Sequence, residues 1–364
     1  MVRMTVLASG SRGNSTVVST DSTRLLVDAG LSCRELMKRL HAAGEDPERL
    51  DGIVITHEHQ DHVQGLAVLA RKLDIPVYFT EATHRAWVRW MTPQKRTTYA
   101  EWVAVRKPEK ERSSLAPHPT NDDPVRRMGH PEVHPTDLTA HPTNDETVRR
   151  MGHPEFHPTE LAPHPTNDEP VRRMGHPEVS ADAEFCEEKP KDPAEFTRLP
   201  AVEYFRAGEK FCVGDIEVLP FTIPHDAADP VGFVFQSQGV RVAIATDLGY
   251  LAPNAKAALR RCDVLMIESN HDLEMLRDGP YPWSVKQRVM SRVGHLSNHA
   301  LAEYLTGDYD GYAQTVVLAH LSESNNLPEL AQMSAERALG GQMPLLRNRV
   351  MLAAQEHPLA PIVL

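Results

Sequence analysis

The chain has 364 residues, 41% of them hydrophobic, with 29 prolines and a formal net charge of −11 at pH 7. This length accommodates about two domains or one large α/β domain, and the acidic balance speaks against a broad basic surface for nucleic acid, so any such contact has to be local. No run of about 18 apolar residues is present to span a bilayer, and the first residues carry no signal-peptide core, so a cytoplasmic protein without membrane contact is expected.

Thr5 to Ser19 reads as two strands joined by the turn Ser9-Gly10-Ser11-Arg12-Gly13-Asn14. That turn is either an ordinary hairpin loop or a backbone N–H cradle for phosphate, with Arg12 as a charged helper. Thr23 to Gly30 is a further strand ending on Asp28, placed either to orient a metal-bound imidazole or to make a turn. Ser32-Cys33-Arg34-Glu35 has the form of a capping box, and Leu31, Leu36, Met37 and Leu40 form a helical stripe that stops near Gly44. The scattered cysteines, Cys33, Cys186, Cys212 and Cys262, show no C-x-x-C spacing and are expected to be reduced structural thiols.

Ile53-Val54-Ile55 has the β-branched, apolar character of a strand buried on both faces, and the chain then changes abruptly to His57-Glu58-His59-Gln60-Asp61-His62. Residues two apart on an extended segment point the same way, so His57 and His59 can converge on one ion. Asp61 and His62 sit where a helix should begin and can face a second ion beside the first. Helical spacing from Val63 to Leu73 and a strand from Ile75 to Phe79 complete a layered α/β pattern.

From about residue 107 to about 199 the character changes. The unit His-Pro-Thr-Asn-Asp starts at His118, His141 and His164, a period of 23 residues, and each copy runs on to Val-Arg-Arg-Met-Gly-His-Pro-Glu. Solenoid repeats need an apolar face on every unit, whereas these offer one Val, one Met and several helix- and strand-breaking prolines. A low-complexity, disordered insertion is expected. Its eight histidines read as copies made by duplication rather than as a metal-buffering tract.

Beyond the repeats the strands resume. Gly214-Asp215 marks a hairpin turn and the strand after it ends at His225. Phe233-Val234-Phe235 and Val242 to Ala245 form another hairpin, finishing on Asp247, which could bridge two ions with one oxygen to each. Asp263 to Asp272 is a buried strand with a polar end, and Gly294-His295-Leu296-Ser297-Asn298 marks a helix start with Ser297 or Asn298 as cap. Gln314 to Ser322 is a strand ending on His320, and the chain after about Met333 suggests a packed helix and a short tail. Four strand ends thus deliver His57 with His59, His225, Asp247 and His320.

The His57-x-His59-x-Asp61-His62 motif, the isolated His225, Asp247 after Ala245-Thr246, and the late His320 resemble the ordered ligand set of the metallo-β-lactamase fold. More narrowly, Leu7-Ala8-Ser9-Gly10-Ser11-Arg12-Gly13-Asn14-Ser15, Pro224-His225-Asp226, Thr246-Asp247-Leu248-Gly249, Glu268-Ser269-Asn270-His271-Asp272, Gly294-His295-Leu296-Ser297-Asn298 and Leu318-Ala319-His320-Leu321-Ser322 resemble the YycJ/WalJ (VicX) branch. The resemblance covers roughly residues 1–105 and 200–335, and it implies an α/β four-layer αββα sandwich with a dinuclear metal site and phosphodiesterase chemistry. On it, residues 1–106 and 200–364 are the two halves of one metallo-hydrolase domain, and 107–199 is a peripheral insertion.

In that frame His57, His59 and His225 belong to the first ion, Asp61, His62 and His320 to the second, and Asp247 to the bridge. Asp61 also orients the nucleophile, and His295 either binds phosphate or protonates the leaving oxygen, or serves as a helix cap. Two divalent ions, zinc or manganese, suit a site without cysteine. The leading reading is a nuclease with nucleic acid as its partner, and for this branch the resemblance implies 5′-to-3′ exonuclease activity on DNA, with RNA also open. Alternatives are a phosphodiesterase or esterase for small, cyclic substrates, and a non-catalytic metal-binding regulator. The oligomeric state is open, a dimer included.

Overall fold

The computed structural model describes residues 1–92, 196–340 and 348–364. The described residues gather into one compact unit. The expected insertion, 107–199, lies outside the described residues up to residue 195, its repeats and histidines included.

The first half of the described unit alternates strands and helices: β1 Arg3–Ala8, β2 Ser15–Ser19, β3 Arg24–Val27, α1 Cys33–Ala42, β4 Gly52–Val54, α2 Gln60–Val63, α3 Leu66–Leu73, β5 Pro76–Phe79 and α4 Glu81–Met91. The second half begins with β6 Ala201–Tyr204, β7 Phe211–Val213, β8 Ile216–Thr222, β9 Val231–Ser237 and β10 Val240–Ala245. It continues with α5 Pro253–Ala258, β11 Val264–Glu268, α6 Leu273–Asp278, α7 Trp283–Val289, α8 Asn298–Gly307, β12 Thr315–Ala319, α9 Pro328–Gly340, β13 Arg349–Leu352 and β14 Ile362–Val363. Ser32 caps α1 as the sequence suggests, accepting a hydrogen bond from the Glu35 amide. The Glu35 carboxylate turns to Arg39, one turn on, instead of closing the box.

These strands form two seven-stranded sheets, in the orders β14-β1-β2-β3-β4-β5-β6 and β13-β12-β11-β10-β9-β8-β7. Alternation decides which side chains meet. Val6, Val27 and Val54 of the first sheet face Phe233, Ile244 and Met266 of the second in one apolar layer. On the outer face of the first sheet, Leu36, Leu40, Leu69 and Trp87 from the helices cover Ile53 and Val77. On the outer face of the second, Leu301, Leu305, Ala331 and Ala335 cover Leu265, Val316 and Leu318. Because the central strands are covered on both faces, they read in sequence as unbroken apolar runs that become polar where they leave the sandwich. The result is the expected αββα sandwich.

One expectation is corrected. The segment after Met333 is not only a helix and a tail, because β13 pairs parallel with β12 and β14 pairs antiparallel with β1, so each sheet gains an edge strand. Strands of four and two residues are too short for alternation to register in a sequence. Cys33, Cys212 and Cys262 are free thiols, and burial pushes Cys262 up to about 11, in keeping with an inert core residue. No helix among the described residues is long and apolar enough to cross a membrane.

Candidate metal centre

The polar residues that follow β3, β4, β8, β10, β11 and β12 meet at one edge of the sandwich. Three of them, Asp28, Asp247 and His320, adopt left-handed backbone with φ of 60°, 61° and 55°. Asp, Asn and His tolerate this region better than other non-glycine residues, at a cost of order 1 kcal/mol or more that the surroundings must offset. Here the offset is visible as hydrogen bonds: the Asp28 amide donates to Val54 O at 3.0 Å and the His320 amide to Ser9 Oγ at 2.8 Å.

The segment from His57 to Gly65 is stitched down in the same way. The Asn14 amide donates to Asp61 O at 2.7 Å, and the Ala29 amide to His62 O at 2.8 Å. A Cβ on Gly30 would lie 1.7 Å from Asp61 O, so only glycine permits this approach.

The side chains so positioned fall into three groups, the second and third sharing Asp247 and His320, and within each the donor atoms lie within 4.8 Å of one another. His57, His59 and His225 form an all-imidazole group, with His225 Nε2 3.2 Å from His59 Nδ1. Asp61, His62, Asp247 and His320 form the second, with His62 Nε2 3.3 Å from Asp247 Oδ2 and His320 Nε2 3.5 Å from Asp61 Oδ2. The His57 and His62 rings, 4.1 Å apart, join the two groups. The structure therefore brings all seven ligand candidates read from the sequence together.

The third group, Asp247, Glu268, His295 and His320, includes a residue that the sequence reading did not single out. Glu268 Oε1 lies 2.8 Å from both His320 Nδ1 and His295 Nδ1, and its Oε2 accepts from the Leu248 and Leu296 amides. Asp28 has the matching place on the other side: its Oδ2 lies 2.8 Å from His62 Nδ1, and its carboxylate also accepts from the Thr56 amide and hydroxyl. His225 Nδ1 lies 3.2 Å from Gly294 O. Each of these rings is thus held at Nδ1 by a carboxylate or a carbonyl, the arrangement that orients metal-binding histidines; His62 Nε2 also lies 3.1 Å from Asn14 Nδ2.

Among the described residues eight buried side-chain atoms have no hydrogen-bond partner, and three of them, His57 Nε2, His320 Nε2 and Asp247 Oδ2, lie in this centre, the last two within 3.5 Å of Asp61 and His62 respectively. Leaving such atoms dry and unpaired costs about 1–3 kcal/mol each, and all three belong to the donor groups. Imidazole nitrogen and carboxylate oxygen without thiolate are the donor types for zinc or manganese. The residues present therefore fit a divalent cation.

The electrostatics divide the centre. Burial, reinforced by neighbouring imidazoles, pushes His57 well below the usual histidine range, and burial likewise lowers His225. For His62 and His320 burial acts downward too, but Asp247 and the other carboxylates outweigh it and hold both rings well above that range. Glu268 is lowered to about 2, its histidine partners overcoming burial. His295 is raised because its ion pair with Glu268 prevails over burial, and its side chain keeps 21% exposure, open to a ligand from solvent. The helix-cap alternative for His295 is removed, since Ser297 caps α8 by accepting from the Ala300 amide.

The Ser9 to Asn14 loop is a structural hairpin. The Gly10 and Gly13 amides are used within the loop, those of Ser9, Arg12 and Asn14 donate to Ala354 O, Gln355 Oε1 and Asp61 O, and Arg12 pairs with both Glu323 and Glu356. Its contribution to the centre is Asn14, whose Nδ2 donates to Asp61 Oδ2 at 3.2 Å.

Comparison with known proteins agrees with this arrangement. The Metallo-beta-lactamase superfamily profile matches residues 8–166, and the Beta-lactamase superfamily domain profile matches residues 160–321. Exodeoxyribonuclease YycJ of Bacillus anthracis is 30% identical over 342 residues, covering 93% of this chain and 89% of that protein. Exodeoxyribonuclease WalJ of Streptococcus pneumoniae is 27% identical over 332 residues, covering 91% and 86%. The crystal structure of the metallo-beta-lactamase fold protein YhfI from Bacillus subtilis aligns over 98% of both chains with a TM-score of 0.54 at 11% identity, a likeness of fold alone. With its sandwich, its donor groups and these relatives, the chain belongs to the metallo-β-lactamase superfamily as a divalent-metal hydrolase of the YycJ/WalJ-like branch.

Proposed function

We propose that this hydrolase is a nuclease that degrades DNA from the 5′ end and uses two divalent ions, zinc or manganese. The observation that carries the reading is the set of unpaired buried atoms, His57 Nε2, His320 Nε2 and Asp247 Oδ2, gathered at one strand edge. On this reading His57, His59 and His225 hold one ion, Asp61, His62 and His320 hold the other, and Asp247 is shared. The names of the two curated relatives support DNA as the substrate. A cytoplasmic location and a peripheral place for residues 107–199 belong to the same reading.

Such ions, when bound, supply Lewis-acid activation of water and neutralise charge on a phosphoryl oxygen. The chain's own residues do the rest. Asp28, Glu268 and the Gly294 carbonyl lock the rings of His62, His320 and His225. Asp61, steadied by Asn14, is the candidate to orient the attacking water and take its proton. His295, kept charged by Glu268, is the candidate to bind phosphate or protonate the leaving oxygen.

The test is degradation of DNA and RNA labelled at either end, with added Mn²⁺ or Zn²⁺. Release of label first from the 5′ end of DNA, abolished in His59→Ala, is expected; unchanged cleavage in that variant would sink the assignment. The acidic charge of the chain favours a second reading, a small cyclic phosphodiester or ester as substrate. Competition by an oligonucleotide separates the two, because a small-substrate enzyme would not be inhibited by it. The complete donor groups and the hydrolase family argue against a non-catalytic regulator.

A further inference from the structure

The three imidazoles of the first group come from two places in the chain. His57 and His59 lie between β4 and α2, whereas His225 stands on the loop of residues 223–230 between β8 and β9. A cation held between the two segments therefore depends on where that loop is fixed. His62 and His320 are oriented by the carboxylates of Asp28 and Glu268, while His225 Nδ1 meets the backbone carbonyl of Gly294 at 3.2 Å. The direction of the His225 ring is thus set largely by what anchors its loop.

One side of the loop is tied to the His57–His59 segment itself: the Ala228 amide donates to Glu58 Oε1 at 2.8 Å and the Val231 amide to Thr56 O at 3.1 Å. The other side is tied to α7 and the turn after it. The Asp226 amide donates to Val293 O at 3.1 Å, and the Asp226 carboxylate spans from the ligand to the helix. Its Oδ1 lies 3.4 Å from His225 Nε2, the nitrogen that faces His59, and its Oδ2 accepts from Arg288 Nε at 2.5 Å. The support is firm. The His295 amide donates to Val289 O at 2.9 Å and the Gly294 amide to Ser291 O at 3.0 Å, and a Cβ on Gly294 would lie 2.2 Å from Val289 O. The Arg288 side chain is 63% exposed, so its ion pair adds little to the stability of the whole fold. What distinguishes the pair is its place, one residue from a metal-ligand candidate.

We propose that Asp226 and Arg288 are positioning residues for the all-imidazole group: their ion pair pins the loop, aims His225 Nε2 at His57 and His59, and so sets how tightly the first ion is held. Asp226 also places a carboxylate beside three ligands that carry no negative charge of their own. The proposal rests on the two-ion reading of the centre, and it is read on ion binding, without cleavage. Zn²⁺ is titrated into the metal-free full chain in competition with a chromogenic chelator, which yields two affinities. The His59→Ala variant, short of one imidazole, identifies which of them belongs to the first group.

Arg288→Ala and Asp226→Asn are each expected to weaken the first-group affinity by about tenfold or more, the loss typical of a partner that orients a metal ligand, and to leave the second-group affinity unchanged. Because the two residues act as one unit, the double variant should be no weaker than the worse single one. Arg288→Lys keeps the charge and should bind much like the parent. In the His59→Ala background, Arg288→Ala should change nothing further. Arg277→Ala, which breaks an equally exposed pair with Asp278 on α6, should bind both ions like the parent. Thermal midpoints of the metal-free variants should stay with the parent. The positioning role is overturned if Arg288→Ala and Asp226→Asn bind both ions normally, if both affinities fall together with the thermal midpoint, or if the two substitutions act additively. A parent chain that takes up a single ion, unmoved by His59→Ala, would overturn the two-ion reading and the positioning role with it, and the stoichiometry of the parent tells that outcome from the others.

Discussion

The all-imidazole group and the carboxylate-rich group stand side by side, yet the chain prepares them in opposite ways. His57 and His225 are held neutral by burial and by other imidazoles, so the first group has little proton competition to overcome. His62 and His320 are held charged by Asp61, Asp247, Asp28 and Glu268, so a cation entering the second group must displace protons. The first group is poised for a cation by desolvation, the second by excess negative charge. Asp247 acts on both sides, on His57 and His225 as well as on His62 and His320, and removing it should narrow the difference.

The largest expected effect follows from that position. Asp247→Ala should lower kcat by about 10³-fold or more, the several kcal/mol of charge stabilisation that a shared metal ligand helps supply. Steady-state kinetics with DNA checks it; a loss under tenfold would mean that the two groups work independently. Next come the residues that hold the rings. Asp28→Asn and Glu268→Gln should each weaken metal affinity by about 10- to 100-fold, and because both serve the carboxylate-rich group, His57, His59 and His225 should keep their ion. Competition with a chromogenic chelator reads this directly.

Chelation of the whole centre should lower the thermal midpoint by about 5–10 °C, if the ions are present at roughly a hundred times their dissociation constants. The smallest effect is on pH, and its sign differs between the groups. In the metal-free chain, His62 and His320 have raised values, so their contribution to stability is complete below about pH 6.5 and fades as pH rises through those values. His57 and His225 have lowered values, so they cost stability as pH falls below about 6.5, where only the unfolded rings accept protons. Thermal scans of the chelated protein with His62→Gln and with His57→Gln should therefore change the pH profile in opposite directions.

Much of the centre was legible in the sequence because its ligands sit where apolar strands stop. The run from Ile53 to His62 shows this most plainly, and His225, Asp247 and His320 repeat it at lower contrast. Glu268 also ends a strand, but its carboxylate meets His320 and His295 only through the parallel pairing of β11 with β12 and the return of the chain at Gly294. No local spacing encodes that meeting. Thr56 was equally hidden, since a threonine inside an apolar run looks like strand filler until its hydroxyl is seen on Asp28. The left-handed turns at Asp28, Asp247 and His320 were hidden as well, because each is a tertiary choice made against local preference. The edge strands β13 and β14 escaped for lack of length.

The most direct measurement is the metal content of the purified chain, determined by mass spectrometry on the parent, His59→Ala and His62→Ala. The account predicts about two ions per chain in the parent and about one in each variant, the ion left in His59→Ala being lost more readily as pH falls from 8 to 6. A parent chain with one ion or none, or a His59→Ala variant that still holds two, would contradict it.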